Sequence, residues 1–530
     1  MQIDHIAKKF VKQAIRDEIS DRRVLQKLKN VYSSEYKISS LTSIELIRAY
    51  NELVDGGVLE PDLRFEKLIR KRGVRSTSGI ASITVITKDY DCPGNCIYCP
   101  KEPDMPKSYL SNEPAVMRAI LNDFDPYRQV VSRLKGLQKT GHRTDKIEMI
   151  ISGGTFNFYP KAYQRNFVKG VYNGLNYDYG DGKKERSLDE AQKKNEKANN
   201  RCVGLSIETR PDYIDEESLK FFRKLGITKV ELGVQCLDDK IYELNKRGHA
   251  VKEVHESLKL LKDAGFKINV HFMPNMYGSN KKKDLEMFSE LFDNELYRPD
   301  WLKIYPCVVV PYSPLEKIYR AGGHKPYSDK ELIDLLVKFK EKIPEYCRVT
   351  RLYRDIPAES IIGGSKLSNL RQYVQEEMKR QGKKCKCIRC REIKSDVVKK
   401  AELVVRGYES SSGKEFFVSF EDVENDKLIG YVRLRIPSQH FSGEKHWMAD
   451  LRDAAVIREL HVFGEHISIS GKDKKASQHK GYGRQLIEKA ALLTKQEGLS
   501  KLVVISGVGV REYYKKLDFN DGELYQYKNV

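Results

Sequence analysis

The chain has 530 residues, too many for one hydrophobic core, and 40% of them are hydrophobic, enough for three or four packed domains. No apolar run approaches the roughly 18 residues that span a bilayer, and the first ten residues carry Asp4, Lys8 and Lys9 where a secretory signal needs an apolar stretch; a cytoplasmic protein with no membrane partner is expected. The net charge of +20 points to a polyanion, nucleic acid first. A heat-adapted surface would explain abundant Lys and Glu but not their imbalance.

Residues 1 to about 75 read as helical. Phe10, Val11 and Ala14, then Leu41, Ile44, Leu46 and Ile47, stand three and four apart, and Thr42 three before Glu45 marks a helix start. Lys67, Arg70, Lys71 and Arg72 in the segment 64–75 form a basic edge able to carry a phosphate backbone, or simply a solvated helix face. From residue 76, apolar runs at 81–87, 146–152, 202–208, 229–235, 267–274 and 301–309 alternate with helical stretches. Repeated β–α units predict a parallel sheet curved into a partial barrel, whose active site forms from the loops after the strands. Residues 181–200 are hydrophilic and read as an exposed insertion. After residue 395 the pattern turns antiparallel, with strands near 416–420 and 428–436. A strand at 456–463, a helix near 484–497, a strand at 502–506 and a short helix with Tyr513 and Tyr514 follow. The class is α/β, divided into 1–75 (helical, basic), 76–380 (partial barrel), 381–395 (Cys-rich linker) and 396–530 (a second α/β domain).

Ten cysteines in two tight clusters plus four singletons argue for metal chemistry in a reducing compartment. Cys92, Cys96 and Cys99 follow a Cys-x3-Cys-x2-Cys spacing. Three thiolates in one loop can hold three irons of a [4Fe–4S] cube and leave the fourth iron for substrate atoms, whereas zinc loops present paired cysteines. Tyr98 adds an aromatic wall. Gly153, Gly154 and Thr155 end a strand one β–α unit later, where missing side chains let backbone carbonyls approach a ligand's ammonium. Glu208, at another strand end, accepts ribose hydroxyls or makes a surface salt bridge. Cys385, Cys387 and Cys390 suit a structural zinc or an RNA-touching knuckle, with the fourth donor open between Cys347, Cys307 and a histidine. Cys202 and Cys236 read as core residues. Gln478, Gly481 and Gly483 precede a helix, where free backbone N–H groups and the helix dipole favour a pyrophosphate.

The cysteine loop resembles that of the radical S-adenosylmethionine (SAM) enzymes, and Gln478-His-Lys-Gly-Tyr-Gly483 resembles the acetyl-coenzyme A loop of GNAT acetyltransferases. Together with 153–156, 207–212, 231–235, 244–249, 458–462 and 504–509, they make nearly the whole chain resemble the catalytic subunit of Elongator. Archaeal and some bacterial members occur without the other Elongator subunits, and a stand-alone archaeal form is expected. The resemblance implies a radical SAM barrel joined to a GNAT-like domain, acting on the wobble uridine of the tRNA anticodon loop. A 5′-deoxyadenosyl radical would take hydrogen from the methyl of acetyl-CoA, the carbon radical would add to uridine carbon five, and thioester hydrolysis would leave a carboxymethyl group. An electron donor is required. Implied acetyl-CoA contacts are Lys146, Glu459, Leu460, His461, Val462, Tyr482, Gly483, Arg484 and Tyr514, with Lys146 and Tyr514 as catalytic candidates; Gly153, Gly154, Thr155, Glu208 and Gln235 surround SAM. Taken alone, Lys146 reads as solvated, and Tyr513 and Tyr514 as one packed and one exposed ring. Cys307, 308–313, 464–476 and 517–519 depart from the family pattern. Rivals are a protein (histone-type) lysine acetyltransferase, disfavoured because a basic enzyme repels basic tails, an RNA methylthiotransferase, which needs no acetyl-CoA loop, and a tRNA-binding scaffold, which wastes the cysteine loop.

Overall fold

Four helices open the computed structural model, which describes residues 2–60, 62–69, 80–177, 184–393, 398–463 and 481–530. Helices Gln2–Arg16, Arg22–Glu35, Ser43–Asp55 and Leu63–Ile69 enclose a core of Phe10, Leu46, Tyr50 and Phe65. Thr42 caps the third helix as its spacing predicts: the hydroxyl accepts from Glu45 N–H, and the Glu45 carboxylate accepts from Thr42 N–H at 2.7 Å. The basic segment 64–75 runs beyond Ile69 into residues outside the described ones.

Seven parallel strands follow in sequential order: β1 (Ala81–Ile86), β2 (Lys146–Ser152), β3 (Arg201–Thr209), β4 (Lys229–Gln235), β5 (Lys267–Phe272), β6 (Trp301–Ile304) and β7 (Arg348–Arg351). Six coincide with the apolar runs; β7 has only four residues, Arg at both ends, and no alternation to read. Ile147, Met149 and Ile151 of β2 pack into the core, while Lys146, Glu148 and Ser152 between them face a central cavity. A closed eight-stranded barrel fills its lumen with apolar layers; this one sets charged side chains such as Glu148, Lys229, Glu231 and Lys303 among apolar ones such as Ile150. Residues 184–200 correct the expected exposed insertion. Ser187 and Glu190 form a capping box on helix Leu188–Asn195, which buries Leu188 and Ala191, while the Asn195 amide bonds to Asn176 and Asn200. Gln192, Asn195, Glu196 and Asn200 are buried while the other polar residues face solvent, so the segment is a packed helix with one wet face; residues 181–183 lie outside the described ones.

The second sheet has the order β13-β14-β12-β11-β10-β9-β8, with β8 (Ala401–Ser410), β9 (Gly413–Asp422), β10 (Lys427–Ile436), β11 (Ala454–Val462), β12 (Lys501–Val504), β13 (Asn520–Asp521) and β14 (Gln526–Asn529). All pairs are antiparallel except β11 with β12. β8 is a half-exposed edge strand, so its sequence carries no core signal. This sheet seats on the N-terminal ends of the barrel strands. Arg458 donates to Phe266 O (2.6 Å) and to Asp300 Oδ2 (2.9 Å), residues just before β5 and β6, and Arg433 donates to Tyr346 O (2.6 Å), just before β7. The motif at 504–509 lies flat on β3: a Cβ on Gly509 would stand 2.8 Å from Cys202 N. Among the described residues no helix is long and apolar enough to cross a membrane.

Candidate active site

The loop after β1 carries Cys92, Cys96 and Cys99 to the C-terminal mouth of the barrel, and all three line the cavity. Cys96 Sγ is buried against two guanidiniums, Arg247 Nη1 at 3.4 Å and Arg210 Nη1 at 3.9 Å. The Cys99 hydrogen bond holds the Cys96 thiol well below its ordinary pKa, and Arg247 adds to this against the opposing effect of burial. Asp212 orients Arg210 at 2.9 and 2.8 Å. A Cβ on Gly94 would overlap the Arg210 guanidinium, so a larger residue there would have to push that group from its place. Gly153 has φ +141°, and a Cβ there would overlap the Thr87 hydroxyl. Thr155 Oγ1 lies 3.8 Å from Cys92 Sγ. Glu208 accepts from Tyr109 OH (2.7 Å), Ser152 OH (3.0 Å) and Gly153 N–H (3.3 Å). These neutral donors replace the surface salt bridge that the sequence left open. Gln235 takes a left-handed φ of +74°, and its buried Oε1 lacks a partner among the described residues, while the buried Tyr98 OH stands beside the Cys96 thiol. An unsatisfied buried oxygen lining the same cavity as three thiols marks a ligand pocket.

The N-terminal mouth faces the second sheet. β11 pairs β12 only from Ala454 to Ile457 and then continues to Val462 along β10, so the two strands part beside 458–461. Glu459, Leu460, His461 and Val462 line the cavity there. The Glu459 side chain turns inward to Arg433 Nε (3.0 Å), Trp301 Nε1 (3.2 Å) and Lys267 Nζ (3.5 Å). Burial alone would raise its pKa; Lys267 and Arg433 more than offset that and keep it ionised. His461 packs against Phe463 (4.4 Å) and Tyr431 (6.0 Å), and burial with the Arg348 charge pulls its pKa to about 4. Gly481, φ +76°, stands at the N-cap of helix Tyr482–Gln496, and Gly481, Gly483 and Arg484 line the cavity. The Tyr482 ring packs on Phe420 at 4.7 Å, so Tyr482 itself does not line the cavity. Gln478 lies outside the described residues, as does the whole of the divergent loop 464–476. Tyr514 is buried and Tyr513 exposed, the division the sequence anticipates; burial raises the Tyr514 pKa. Lys146 opens β2 at this mouth, its pKa lowered by burial.

Both mouths open into one cavity of about 1680 Å³. β2 measures the span: Lys146 is at one mouth, Ser152 and Gly153 at the other, about 20 Å along the strand at about 3.3 Å per residue. The two residue sets share a chamber but sit at its opposite ends. Between them, Lys229 bonds Glu148 at 2.7 Å, and Lys303 and His271 both bond Glu231. Elsewhere, the thiols of Cys385, Cys387 and Cys390 lie within 4.8 Å of one another, a separation fit for one tetrahedral ion, whose thiolates stand about 3.8 Å apart. The Cys347 carbonyl accepts from Ile388 N–H, but its thiol does not join the three within 4.8 Å, so among the described residues no fourth donor completes the set. Cys307 lines the main chamber instead.

Three family models match the chain: the radical SAM superfamily over residues 90–291, the radical SAM C-terminal domain over 299–380, and the acetyltransferase (GNAT) family over 395–519. A tRNA uridine(34) acetyltransferase of Methanocaldococcus jannaschii is 44% identical over 85% of this chain and 85% of that protein. The Elongator complex protein 3 of Danio rerio is 37% identical over 96% of this chain and 93% of that protein. The chain belongs to the Elongator complex protein 3 family. A solved archaeal Elp3 from Methanocaldococcus infernus, lacking its N-terminus, superposes with a TM-score of 0.74 at 40% identity, covering 86% of this chain and all of that one. The radical SAM and GNAT matches imply SAM, a [4Fe–4S] cluster and acetyl-CoA. The donor set fits the cluster: three thiols at one mouth, backed by two buried guanidiniums that compensate an anionic group. For the Elongator complex protein 3 family the motifs at 207–212 and 244–249 thus gain a physical reason, since they supply Arg210 and Arg247. Sequence reasoning missed Tyr109, Glu231, His271 and Lys303. Inward-facing charges on β4, β5 and β6 were the available signal, because a strand buried on both faces should be apolar throughout.

Proposed function

We propose that the chain builds a carboxymethyl group on carbon five of the tRNA wobble uridine, using SAM and acetyl-CoA. The observation that carries this reading is the single cavity reached by the cysteine loop at one end and by β11 and the Gly481 helix start at the other. Relatives named tRNA uridine(34) acetyltransferase supply the substrate, and the net charge of +20 suits it. Cys92, Cys96 and Cys99 would hold the cluster, which on reduction supplies electron-driven cleavage of SAM. Gly153, Gly154, Thr155, Glu208 and Gln235 form the SAM pocket, where Glu208, fixed by Tyr109 and Ser152, presents its carboxylate to ribose hydroxyls. Leu460, His461 and Val462 receive the pantetheine arm along the parted edge of β11. Gly481, Gly483 and Arg484 receive the pyrophosphate at the helix N-terminus. Tyr514, kept protonated by burial, has the form needed to donate to a departing thiolate. Cys385, Cys387 and Cys390 hold a structural zinc, the ion this thiol set favours. A lysine acetyltransferase acting on basic protein tails is disfavoured by charge and leaves the cysteine mouth without a role.

Anaerobic incubation of the reconstituted, reduced protein with SAM, acetyl-CoA and bulk tRNA, followed by nucleoside mass analysis, should reveal 5-carboxymethyluridine. Unmodified uridine alone would defeat the proposal. In the same assay Lys146→Ala should raise the acetyl-CoA concentration needed for half-maximal rate about tenfold, the equivalent of one lost charged contact. An unchanged requirement would return Lys146 to the solvated class.

A further inference from the structure

The lumen holds a carboxylate–imidazole pair to which the proposed function gives no task. Glu231 on β4 and His271 on β5 both face the cavity, with Glu231 Oε2 3.2 Å from His271 Nε2. Glu231 is ionised: burial would raise its pKa, but the Lys303 ammonium, His271 and Lys229 together hold it well below the usual range. An ionised carboxylate only accepts. The imidazole therefore donates Nε2–H to it, which fixes the tautomer and leaves the lone pair on Nδ1. Burial and the Lys303 charge keep the ring neutral. Its side chain is 12% exposed, and its open side is the cavity. One nitrogen of this ring and carboxylate oxygens of Glu208 and Glu231 lie within 4.8 Å of one another. Such a trio can cage a cation, but the Lys303 ammonium already sits on Glu231 and places a fixed positive charge beside that spot.

The pair thus borders the pocket of Glu208, at the C-terminal mouth where the new carbon–carbon bond has to form. The thioester carbonyl carbon is bonded directly to the methyl carbon that joins the uridine, so hydrolysis has to take place beside the same point. We propose that His271, oriented by Glu231, is the general base that hydrolyses this thioester and frees coenzyme A, an inference that rests on the carboxymethyl product proposed above. Nδ1 takes a proton from water as the water oxygen bonds to the carbonyl carbon. The C–S bond then breaks, and the imidazolium returns the proton to the departing sulfur. The products are the carboxylic acid, which ionises, and the coenzyme A thiol, with no net change of oxidation state.

The test uses the full-length reconstituted protein with SAM, acetyl-CoA and tRNA, quenched with hydroxylamine so that a surviving nucleoside thioester appears as its hydroxamate. In His271→Ala and His271→Asn the hydroxamate should accumulate, coenzyme A release should slow by about a hundredfold or more, and added imidazole should restore release to His271→Ala. Acetyl-CoA binding, measured by calorimetry, should match the parent protein in at least one variant, and that variant is the one judged. Carboxymethyl nucleoside formed at the parental rate, or slowed release with no trapped hydroxamate and no imidazole rescue, overturns the role of His271. Absence of any carbon adduct with the parent protein removes the product reading and this inference with it, and is recognised because no substitution is involved.

Discussion

Cys96→Ala is expected to yield a colourless protein that no longer cleaves SAM. Cys96 is the most enclosed of the three thiols at the C-terminal mouth, and its Sγ is the point on which Arg210 and Arg247 converge. Removing it deletes one of the three thiols proposed to hold the cluster and leaves the buried Arg247 without its anionic partner, while Arg210 keeps Asp212, so loss of both cluster and local order is expected. Cys92→Ser separates the two effects. Cys92 is only half-buried, and its Sγ lies 3.8 Å from the Thr155 hydroxyl, so this variant should keep the fold and still lose the cluster. Visible absorbance and 5′-deoxyadenosine release, with circular dichroism as the folding control, measure the outcome. Brown protein with parental SAM cleavage in both variants would remove the cluster from this loop.

A shared chamber also sets a geometric demand. A thioester anchored at β11 starts about 20 Å from Gly153, one strand length away at about 3.3 Å per residue. An extended arm has to thread the lumen to meet the other reactants. The charged lining of Glu148, Lys229, Glu231 and Lys303 suits such a passage better than apolar layers would, since polar groups tolerate both water and the amides of a passing arm.

The parts of the fold legible in the sequence were those with an apolar rhythm. β2 to β6 announce themselves because Ile147, Met149 and Ile151, or Ile268 and Val270, recur at every second position. β7 and β8 escaped notice, the first because four residues carry no rhythm, the second because an edge strand buries neither face. Helix Leu188–Asn195 was hidden by its composition: its buried asparagine and glutamine are satisfied by backbone partners that only the fold reveals. The chemistry divides similarly. Cysteine spacing is local, so the cluster loop could be read directly. Arg210, Arg247 and His271 meet partners 114, 151 and 40 residues away, so the motifs at 207–212 and 244–249 and the polar position on β5 could flag them without showing what they touch.

Asp300→Ala is expected to destabilise the seating of the second sheet on the barrel by about 3–5 kcal/mol, the cost of breaking a buried ion pair by deleting one partner. Asp300 stands just before β6 and is wholly buried. Its carboxylate accepts from Arg458 Nη1 at 2.9 Å and again from Arg458 Nη2, and from Ile268 N–H at 2.9 Å, while Arg433 Nη1 lies at 3.7 Å. Alanine leaves two guanidiniums and an amide facing a void. Asp300→Asn keeps the shape but loses the charge, and should fall between the parent and alanine. The acid limb follows from the same group. Burial raises the Asp300 pKa, but Arg458 and Arg433 more than offset this, so its folded value lies below the unfolded 3.8. A depressed carboxylate stabilises the fold above its unfolded pKa and loses that contribution as pH falls through the folded value. The parent protein should therefore lose this increment only below about pH 4, and the gap between it and Asp300→Ala should narrow over the same range. Urea midpoints measured from pH 7 down to pH 2.5, read by fluorescence of Trp301 and Trp447, test both statements. Equal midpoints at pH 7 would mean that the pair does not hold the two sheets together, and the route between the two mouths would then need another scaffold.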